Sequence, residues 1–346
     1  MTQSQPSMET KLPSFSIILE TENLSTSELE GFYLSLNSLV EQTPSAEDAQ
    51  EVIIIDSGDT PASVLEAICE RYPWIKVHRS RAGISYYEAK MEGARLATGE
   101  VVLLCDSDCI YNCSWLSHIL TPFRDHREIQ VVAGETATRT GGAYELAMHF
   151  VYLFNGFSGK QQPYPAYTYY CNNIAFSRQL LLAQPIPSEL PLYRGNCYIH
   201  AFSLTRQGYQ IWRQPKAQAS HAAPNGWSHF FWRFLLIGRD NVITKRLVKQ
   251  IKSEGNTSAL PQTKLITHIG NLFPFLRRVK TVEVRQLIHL PLAIPIALAS
   301  YLLIFCGRII TYFCPQYLLN TYSAIEGTVY ESSLKSEEKQ LTQGNV

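Results

Sequence analysis

The chain has 346 residues, and its 30 basic and 30 acidic side chains leave no formal net charge, so nothing in it offers a global attraction for nucleic acid and no such partner is expected. The length suits one large domain with additions, and a hydrophobic content of 45% is that of a globular protein. Eight cysteines occur with no Cys-x-x-Cys and no histidines at zinc spacing, which reads as free thiols in a reducing cytoplasm.

The first dozen residues are polar and lack an apolar core, the pattern of a flexible N-terminus (1–13) without a signal peptide. Phe15–Thr21 reads as a strand. Ser25–Val40 follows with Leu29, Phe32, Leu36, Leu39 and Val40 at helical spacing, capped by Thr26 or Ser27. Glu51–Ile55 is a second strand that ends in Asp56-Ser57-Gly58-Asp59-Thr60-Pro61. A helix at Ala62–Arg71, a strand at Trp74–Val77, a helix at Glu88–Ala97 and a strand at Val101–Leu104 come next. This alternation predicts a Rossmann-like α/β fold, a mostly parallel sheet flanked by helices.

The fourth strand runs into Cys105-Asp106-Ser107-Asp108. Two carboxylates two residues apart in extended chain project to the same side. At a strand end in an open α/β sheet that side faces the ligand crevice. Paired carboxylate oxygens suit a hard cation, Mg²⁺ or Mn²⁺, which would in turn hold a diphosphate. Aspartates that merely close a strand would look the same, so the motif gains weight only from its neighbours. Cys105, Cys109 and Cys113 nearby read as small buried residues rather than metal ligands.

The second half is less regular. Val131–Gly134 and Asn173–Phe176 read as strands, and Ile199–Gln207 as a helix ended by Gly208. Tyr152–Tyr170, rich in aromatics, Gly and Pro, reads as a substrate-facing loop or an aromatic-packed surface. Trp227–Ile243 reads as a helix, 251–263 as a linker, and the tail after Tyr330 as poorly ordered. From Gln286 to Gly307 there is no charged residue, and Leu287–Phe305 approaches the ~20 residues that cross a bilayer. Lys264, Arg277, Arg278, Lys280 and Arg285 precede it, which places the N-terminal side in the cytoplasm. Pro291 and Pro295 permit either a span or a bent, monotopic anchor, and both rank above a buried soluble helix. The expected divisions are a main domain over 14–250, a basic juxtamembrane segment over 251–285, a transmembrane or membrane-embedded segment over 286–313 and a polar tail over 314–346.

Taken in order, several segments resemble a family 2 glycosyltransferase of the GT-A fold over roughly residues 14–245. They are Glu51-Val52-Ile53-Ile54-Ile55-Asp56-Ser57-Gly58, the helix Ala89–Glu100 leading into Asp106-Ser107-Asp108, Trp115-Leu116 with Pro122-Phe123, and Cys171-Asn172-Asn173-Ile174-Ala175-Phe176-Ser177-Arg178. The resemblance implies roles. Asp56, beside Gly58, would accept a hydrogen bond from the nucleotide; Asp106 and Asp108 would engage ribose, metal and diphosphate; His221 would be a third metal ligand. Lys90 could contact the nucleotide, a solvated helix lysine being the simpler account, and Arg233 and Arg239 could reach phosphates. The divalent ion would stabilise the leaving diphosphate as a Lewis acid, and a carboxylate would take the acceptor proton in an inverting transfer.

One position departs from the family pattern. The acidic base expected shortly before Gly208-Tyr209 falls on Asn196-Cys197, and the sequence shows no cause for a lowered Cys197 pKa. Three explanations compete: Glu189 or His200 serves instead as the catalytic base, the acceptor is already anionic, such as a polyprenyl phosphate, or the protein binds nucleotide sugars without transferring them. No Gln-x-x-Arg-Trp motif is present, which favours transfer of a single sugar over chain extension. A nucleotidyltransferase is disfavoured because Glu20-Thr21-Glu22-Asn23 lacks a Gly-rich phosphate loop. The leading expectation is a membrane-associated, metal-dependent transferase using a nucleotide-sugar donor and a saccharide or lipid-linked acceptor. Its rival is a catalytically silent binding or scaffold protein.

Overall fold

A computed structural model describes residues 11–21, 29–58, 60–81, 83–253, 278, 282 and 284–325. The expected cap at Thr26 or Ser27, most of the polar linker and the tail after Tyr330 lie outside these residues. The chain divides into two compact units, one of Met1–Leu190, Asn196–Ala223 and Ser258–Leu290, the other of Pro191–Gly195, Pro224–Thr257 and Pro291–Val346.

The first unit is built on strands β1 (Phe15–Glu20), β2 (Glu51–Asp56), β3 (Ile75–Arg79), β4 (Val101–Asp106), β5 (Cys109–Tyr111), β6 (Val131–Thr138), β7 (Tyr164–Ala166), β8 (Asn173–Ser177) and β9 (Ile211–His221). Its helices are α1 (Leu29–Val40), α2 (Ala62–Arg71), α3 (Tyr86–Leu96), α4 (Trp115–Asp125), α5 (Ala143–Val151), α6 (Arg178–Ala183) and α7 (Asn196–Arg206). The strands form one sheet in the order β3-β2-β1-β4-β8-β6-β9-β5, with β7 added on β9. β1, β2 and β4 are buried along their whole length and apolar on both faces, as strands between two helical layers must be. Ile17, Leu19, Ile54 and Leu103 pack with Phe32, Leu36, Trp115 and Ile119 on one face; Ile18, Ile53, Ile55 and Leu104 pack with Tyr87, Met91 and Ala94 on the other.

The sheet is mixed rather than mostly parallel. β1 pairs in parallel with β2 and β4, and β2 with β3, but β8 runs antiparallel between β4 and β6. β9, at eleven residues, is a strand that the sequence pattern does not reveal, as are the three-residue β5 and β7. Its composition, with Arg213, Gln214, Pro215, Lys216 and Gln218, hides it, and pairing with β6 holds it in place. That pairing shifts register between Ala133 and Glu135. Asn173 fills the gap: its Nδ2 donates to Glu135 O at 3.0 Å and Ala217 O at 3.1 Å, and its Oδ1 accepts from Trp115 Nε1 at 2.8 Å. Gly134 leaves the room, since a Cβ there would collide with the Asn173 amide.

In the second unit, α8 (Gly226–Ser253) runs well beyond Ile243, and it groups with the C-terminal helix α9 (Leu290–Phe313) rather than with the sheet. The two helices touch backbone to backbone: a Cβ on Gly238 would strike Ile304 O, and one on Gly307 would strike Leu235 O. On α9 the buried stripe is Ala293, Ala297, Ser300, Ile304, Gly307 and Thr311. Leu292, Leu298, Leu302, Phe305, Tyr312 and Phe313 are exposed. The helical run Val284–Phe313 contains an 18-residue stretch of mean hydropathy 2.1 and is long and apolar enough to cross a membrane. Arg239, considered above as a phosphate ligand, is instead fully buried. It pairs with Asp240 at 2.9 Å and donates to Pro315 O, while Asp240 accepts from the backbone N–H groups of Tyr193 and Arg194. Arg233 stacks over the Tyr193 ring at 5.4 Å.

Replacing Asn173 with Ala strands the Trp115 donor and two bulge carbonyls. It should lower unfolding free energy by on the order of 3 kcal/mol in a denaturant titration, whereas a loss under about 0.5 kcal/mol would contradict the bulge-filling role.

Candidate functional site

The site begins at the tip of β4. In parallel register Asp106 lies opposite Glu20 of β1, so two carboxylates meet in the protein interior. Lys90 answers them. Its ammonium is fully buried, 2.6 Å from Asp106 Oδ1 and 4.0 Å from Glu20, and donates to Cys105 O at 2.6 Å. Burial alone would depress the lysine pKa, but Asp106 and Glu20 outweigh it and raise it. Lys90 is thus neither a solvated helix residue nor free to reach a nucleotide: it is the counterion of Asp106. Helical spacing places it there, four residues after Tyr86 and four before Ala94 on the buried face of α3.

Tyr86 donates its hydroxyl to both oxygens of Asp106, at 2.9 and 3.0 Å. Burial and the Asp106 charge push the Tyr86 pKa well up, so it remains a donor. The backbone is fixed as well. The Asp106 N–H donates to Tyr111 Oη, whose proton goes to Asn172 O, and Ser35 Oγ donates to Asp106 O.

Asp108 arrives differently from the sequence expectation. The strand stops at Asp106, and Ser107-Asp108 form a turn into β5, so strand alternation does not bring the two side chains together. The turn is held by the Asp108 carbonyl, which accepts from Arg139 Nη2 at 2.5 Å and Ala222 N at 3.1 Å. β9 then delivers His221, paired with Cys109 of β5 on one side and Thr138 of β6 on the other. The ligand atoms of Asp106, Asp108, Cys109 and His221 lie within 4.8 Å of one another.

The histidine tautomer follows from its contacts. Nδ1 lies 2.5 Å from Ala222 O, a pure acceptor, so the proton sits on Nδ1. In the neutral ring Nε2 then turns its lone pair toward Asp108 Oδ2 at 3.3 Å. Two lone pairs facing across that distance suit a cation between them, and orienting one ring nitrogen through the other is how metal-binding histidines are set. Phe154 and Tyr152 flank the ring, with centroids at 4.7 and 5.9 Å. The donor set, two carboxylates and an imidazole, therefore fits Mg²⁺ or Mn²⁺. Cys109 was not expected in this group. Its thiol is fully buried, and burial with the charges of Asp108 and Asp106 pushes its pKa well up, so it contributes a protonated sulfur that donates weakly to Asp108.

The other predicted residues are scattered. Asp56 ends β2, buried, and its Oδ1 accepts from Gly58 N at 3.2 Å and Thr21 Oγ1 at 3.3 Å, the contacts of a turn aspartate. Gly58 has φ +96°, which its lack of Cβ permits. Glu189 is exposed on the loop before α7. His200 is corrected as a base candidate: it is buried, with Tyr169 Oη at 2.5 Å from Nδ1 and Gln184 O at 2.8 Å from Nε2, so neither nitrogen is left for a substrate proton. Asn196 is buried, its Nδ2 donating to Pro187 O while its Oδ1 has no partner among the described residues. Cys197 is corrected too. Its pKa is lowered, with Cys171 the largest influence, against the opposing effect of burial, and further by Tyr87, whose hydroxyl donates to the sulfur at 3.8 Å, and by backbone N–H groups of the first turn of α7. Tyr86, Tyr111 and Arg139 were not nominated from the sequence, since none of them stands in a recognisable motif.

Residues 28–183 match the family model described as glycosyl transferase family 2. Among curated proteins it is similar to N-acetylgalactosaminyltransferase 6 of Drosophila melanogaster, 33% identical over 116 residues covering 32% of this chain and 17% of the relative. It is also similar to polypeptide N-acetylgalactosaminyltransferase 10 of Homo sapiens, 28% identical over 119 residues, 34% of this chain and 19% of the relative. The chain thus spans about a fifth of the length of the curated relatives it matches. Two solved structures share the fold at 17% identity. Mannosyltransferase PcManGT from Pyrobaculum calidifontis, in complex with GDP-Man and Mn²⁺, has a TM-score of 0.53 over 94% of this chain and 87% of its own. GalNAc-T7 with UDP, GalNAc and Mn²⁺ has a TM-score of 0.50 over 61% and 44%. The fold is accordingly of GT-A type.

Two outcomes test this geometry. Lys90→Met leaves Asp106 without its buried cation and should cost about 3–5 kcal/mol of unfolding free energy; wild-type stability in the variant would refute the counterion role. Burial also holds the His200 pKa down, from 6.5 to about 4, against the opposing hydrogen bond to Gln184. A histidine lowered in the native state binds its proton more readily when unfolded. Its contribution is therefore whole above about pH 6.5 and fades as pH falls toward 4, by roughly 3 kcal/mol. The stability gap between wild type and His200→Gln should narrow over that window, and a constant gap would contradict the assignment.

Proposed function

We propose that the chain transfers a single sugar from a nucleotide-diphosphate sugar to an acceptor at the cytoplasmic face of a membrane, with inversion, using Mn²⁺ or Mg²⁺. The observation that carries this reading is the convergence of Asp106, Asp108 and His221 ligand atoms at the end of β4, within 4.8 Å. Asp108 and His221 would hold the ion most directly, since Asp106 already shares its oxygens with Tyr86 and Lys90. Bound there, the ion would neutralise charge on the leaving diphosphate. Lys90 pairs with Asp106 in the interior, Ala222 O fixes the His221 tautomer, and Asp56 at the end of β2, beyond β1, would receive the nucleoside. The bound nucleotides of the two structural neighbours, UDP and GDP-Man, support a donor of this class.

Asn196 and Cys197 stand where the family carries an acidic base, and His200 is occupied by Tyr169 and Gln184. An acceptor that is already anionic needs no base, which favours a phosphate-bearing lipid. The exposed apolar face of α9 would sit in the bilayer that supplies it. The same residues motivate the rival reading, a protein that binds nucleotide sugar without turnover.

A panel of nucleotide sugars with Mn²⁺, assayed for released nucleoside diphosphate in vesicles with and without a polyprenyl phosphate, separates the two. The expected result is release that depends on the lipid phosphate and falls at least ~100-fold in Asp108→Asn. Saturable donor binding with no release under any acceptor would establish the silent reading instead.

A further inference from the structure

Arg278 stands in the basic run before the apolar helix, where the sequence gives it no task beyond its charge. The structure takes that charge out of solvent. Arg278 is 6% exposed, and the segment Ser258–Leu290 that carries it groups with the sheet unit. Its Nη1 donates to Phe150 O at 2.6 Å and its Nη2 to Phe154 O at 2.9 Å. α5 ends at Val151, so Phe150 O is one of the carbonyls that a helix end leaves without an intrahelical donor, and a cation suits that end of the helix dipole. The planar guanidinium bridges two carbonyls at a fixed separation, which a point-charge ammonium does not do. What it bridges bears on the site. Tyr152 lies between the two carbonyls, and the rings of Tyr152 and Phe154 flank His221, with centroids at 5.9 and 4.7 Å. Tyr170 braces the same turn: its hydroxyl donates to Leu153 O at 2.7 Å, and its ring meets Phe154 edge-on at 4.9 Å. The imidazole is thus oriented twice, by Ala222 O at Nδ1 and by an aromatic wall whose backbone Arg278 holds.

We propose that Arg278 is a positioning residue for His221: by clamping the carbonyls of Phe150 and Phe154 it fixes the aromatic wall that sets the imidazole at the cation site. The arginine acts through the two rings and not by contact with the ion. Without it, Tyr170 would still hold Leu153 O, but both bonds that join the end of α5 to Phe154 would be lost, and the His221 ring would gain freedom. The segment that leads into the apolar helix is then part of the framework of the site and more than a tether. Its next stretch, Val284–His289, also packs against α5. The effect on the cation rests on the reading of Asp106, Asp108 and His221 as metal ligands; the clamp on the imidazole does not.

The first measurement needs no metal. In the full-length protein carrying ¹⁵N-labelled histidine, the His221 ring resonances, assigned by their loss in His221→Gln, should move or broaden in Arg278→Ala, while those of exposed His126 stay in place. Mn²⁺ titrated into the same samples should bind Arg278→Ala ~10-fold more weakly than wild type, the loss typical of groups that orient a metal ligand from behind. Phe154→Leu keeps the arginine and removes the nearer ring, and should weaken Mn²⁺ binding to a similar degree. The double variant should bind no more weakly than the worse single one, because both changes act through one imidazole. Arg278→Lys keeps the charge without the fork and should fall between wild type and Arg278→Ala; it takes the place of Arg278→Ala in every comparison if that variant does not fold. Unmoved His221 resonances, unchanged Mn²⁺ affinity, or losses that simply add in the double variant would overturn the proposal. A wild type that binds no Mn²⁺ refutes the cation site itself, and the metal-free resonances then decide the clamp alone.

Discussion

A buried ammonium holds the site together. β1 and β4 run side by side and bring Glu20 and Asp106 to the same interior point, where two carboxylates without a cation would repel and resist ionisation. Lys90 reaches that point from α3 and places its charge 2.6 Å from Asp106. The desolvation of the ion pair is costly, and the surrounding hydrogen bonds from Tyr86 and to Cys105 O are what make it tolerable. What the protein gains is a carboxylate locked in position at the lip of the sheet. The Tyr111 hydroxyl and Ser35 then fix its backbone, so the first aspartate of the pair is immobilised before any ligand arrives.

The rest of the cluster is assembled by sheet order. β5 is only three residues long, yet it pairs with β9, and that pairing sets His221 opposite Cys109 and beside the turn that carries Asp108. Arg139, at the end of β6, closes the turn from the other side. The irregular step between β6 and β9, plugged by Asn173, sits on the same pair of strands that positions His221. A packing feature in the middle of the sheet thus bears on the geometry at its edge.

Much of this was legible in the sequence, and the limits have physical causes. The apolar runs of β1, β2 and β4 were readable because strands buried on both faces must be apolar throughout. Asp106 and Asp108 were nominated because paired carboxylates suit a divalent cation, whereas His221 came only from the family resemblance. β9 escaped because it carries long polar side chains such as Arg213, whose guanidinium is satisfied by Gly134 O and Thr168 O rather than by water. Lys90 was misjudged because a helix lysine defaults to solvent, and only the register between β1 and β4 reveals the charge waiting for it. His200 was attractive for its chemistry alone; its neighbours, Tyr169 and Gln184, come from segments distant in the chain. Cys197 was passed over for the converse reason, since the groups that lower it, Cys171 and Tyr87, converge only in three dimensions.

The central claim is that the acidic and imidazole groups at the end of β4 and β9 grip a divalent cation. The direct measurement is electron paramagnetic resonance of Mn²⁺ titrated into protein carrying ¹⁵N-labelled histidine, compared with His221→Gln and Asp108→Asn. A bound-manganese signal with nitrogen coupling that disappears in His221→Gln, together with at least ~10-fold weaker binding in Asp108→Asn, is the predicted result. Manganese that binds with unchanged affinity in both variants, or shows no histidine coupling in the wild type, would contradict it.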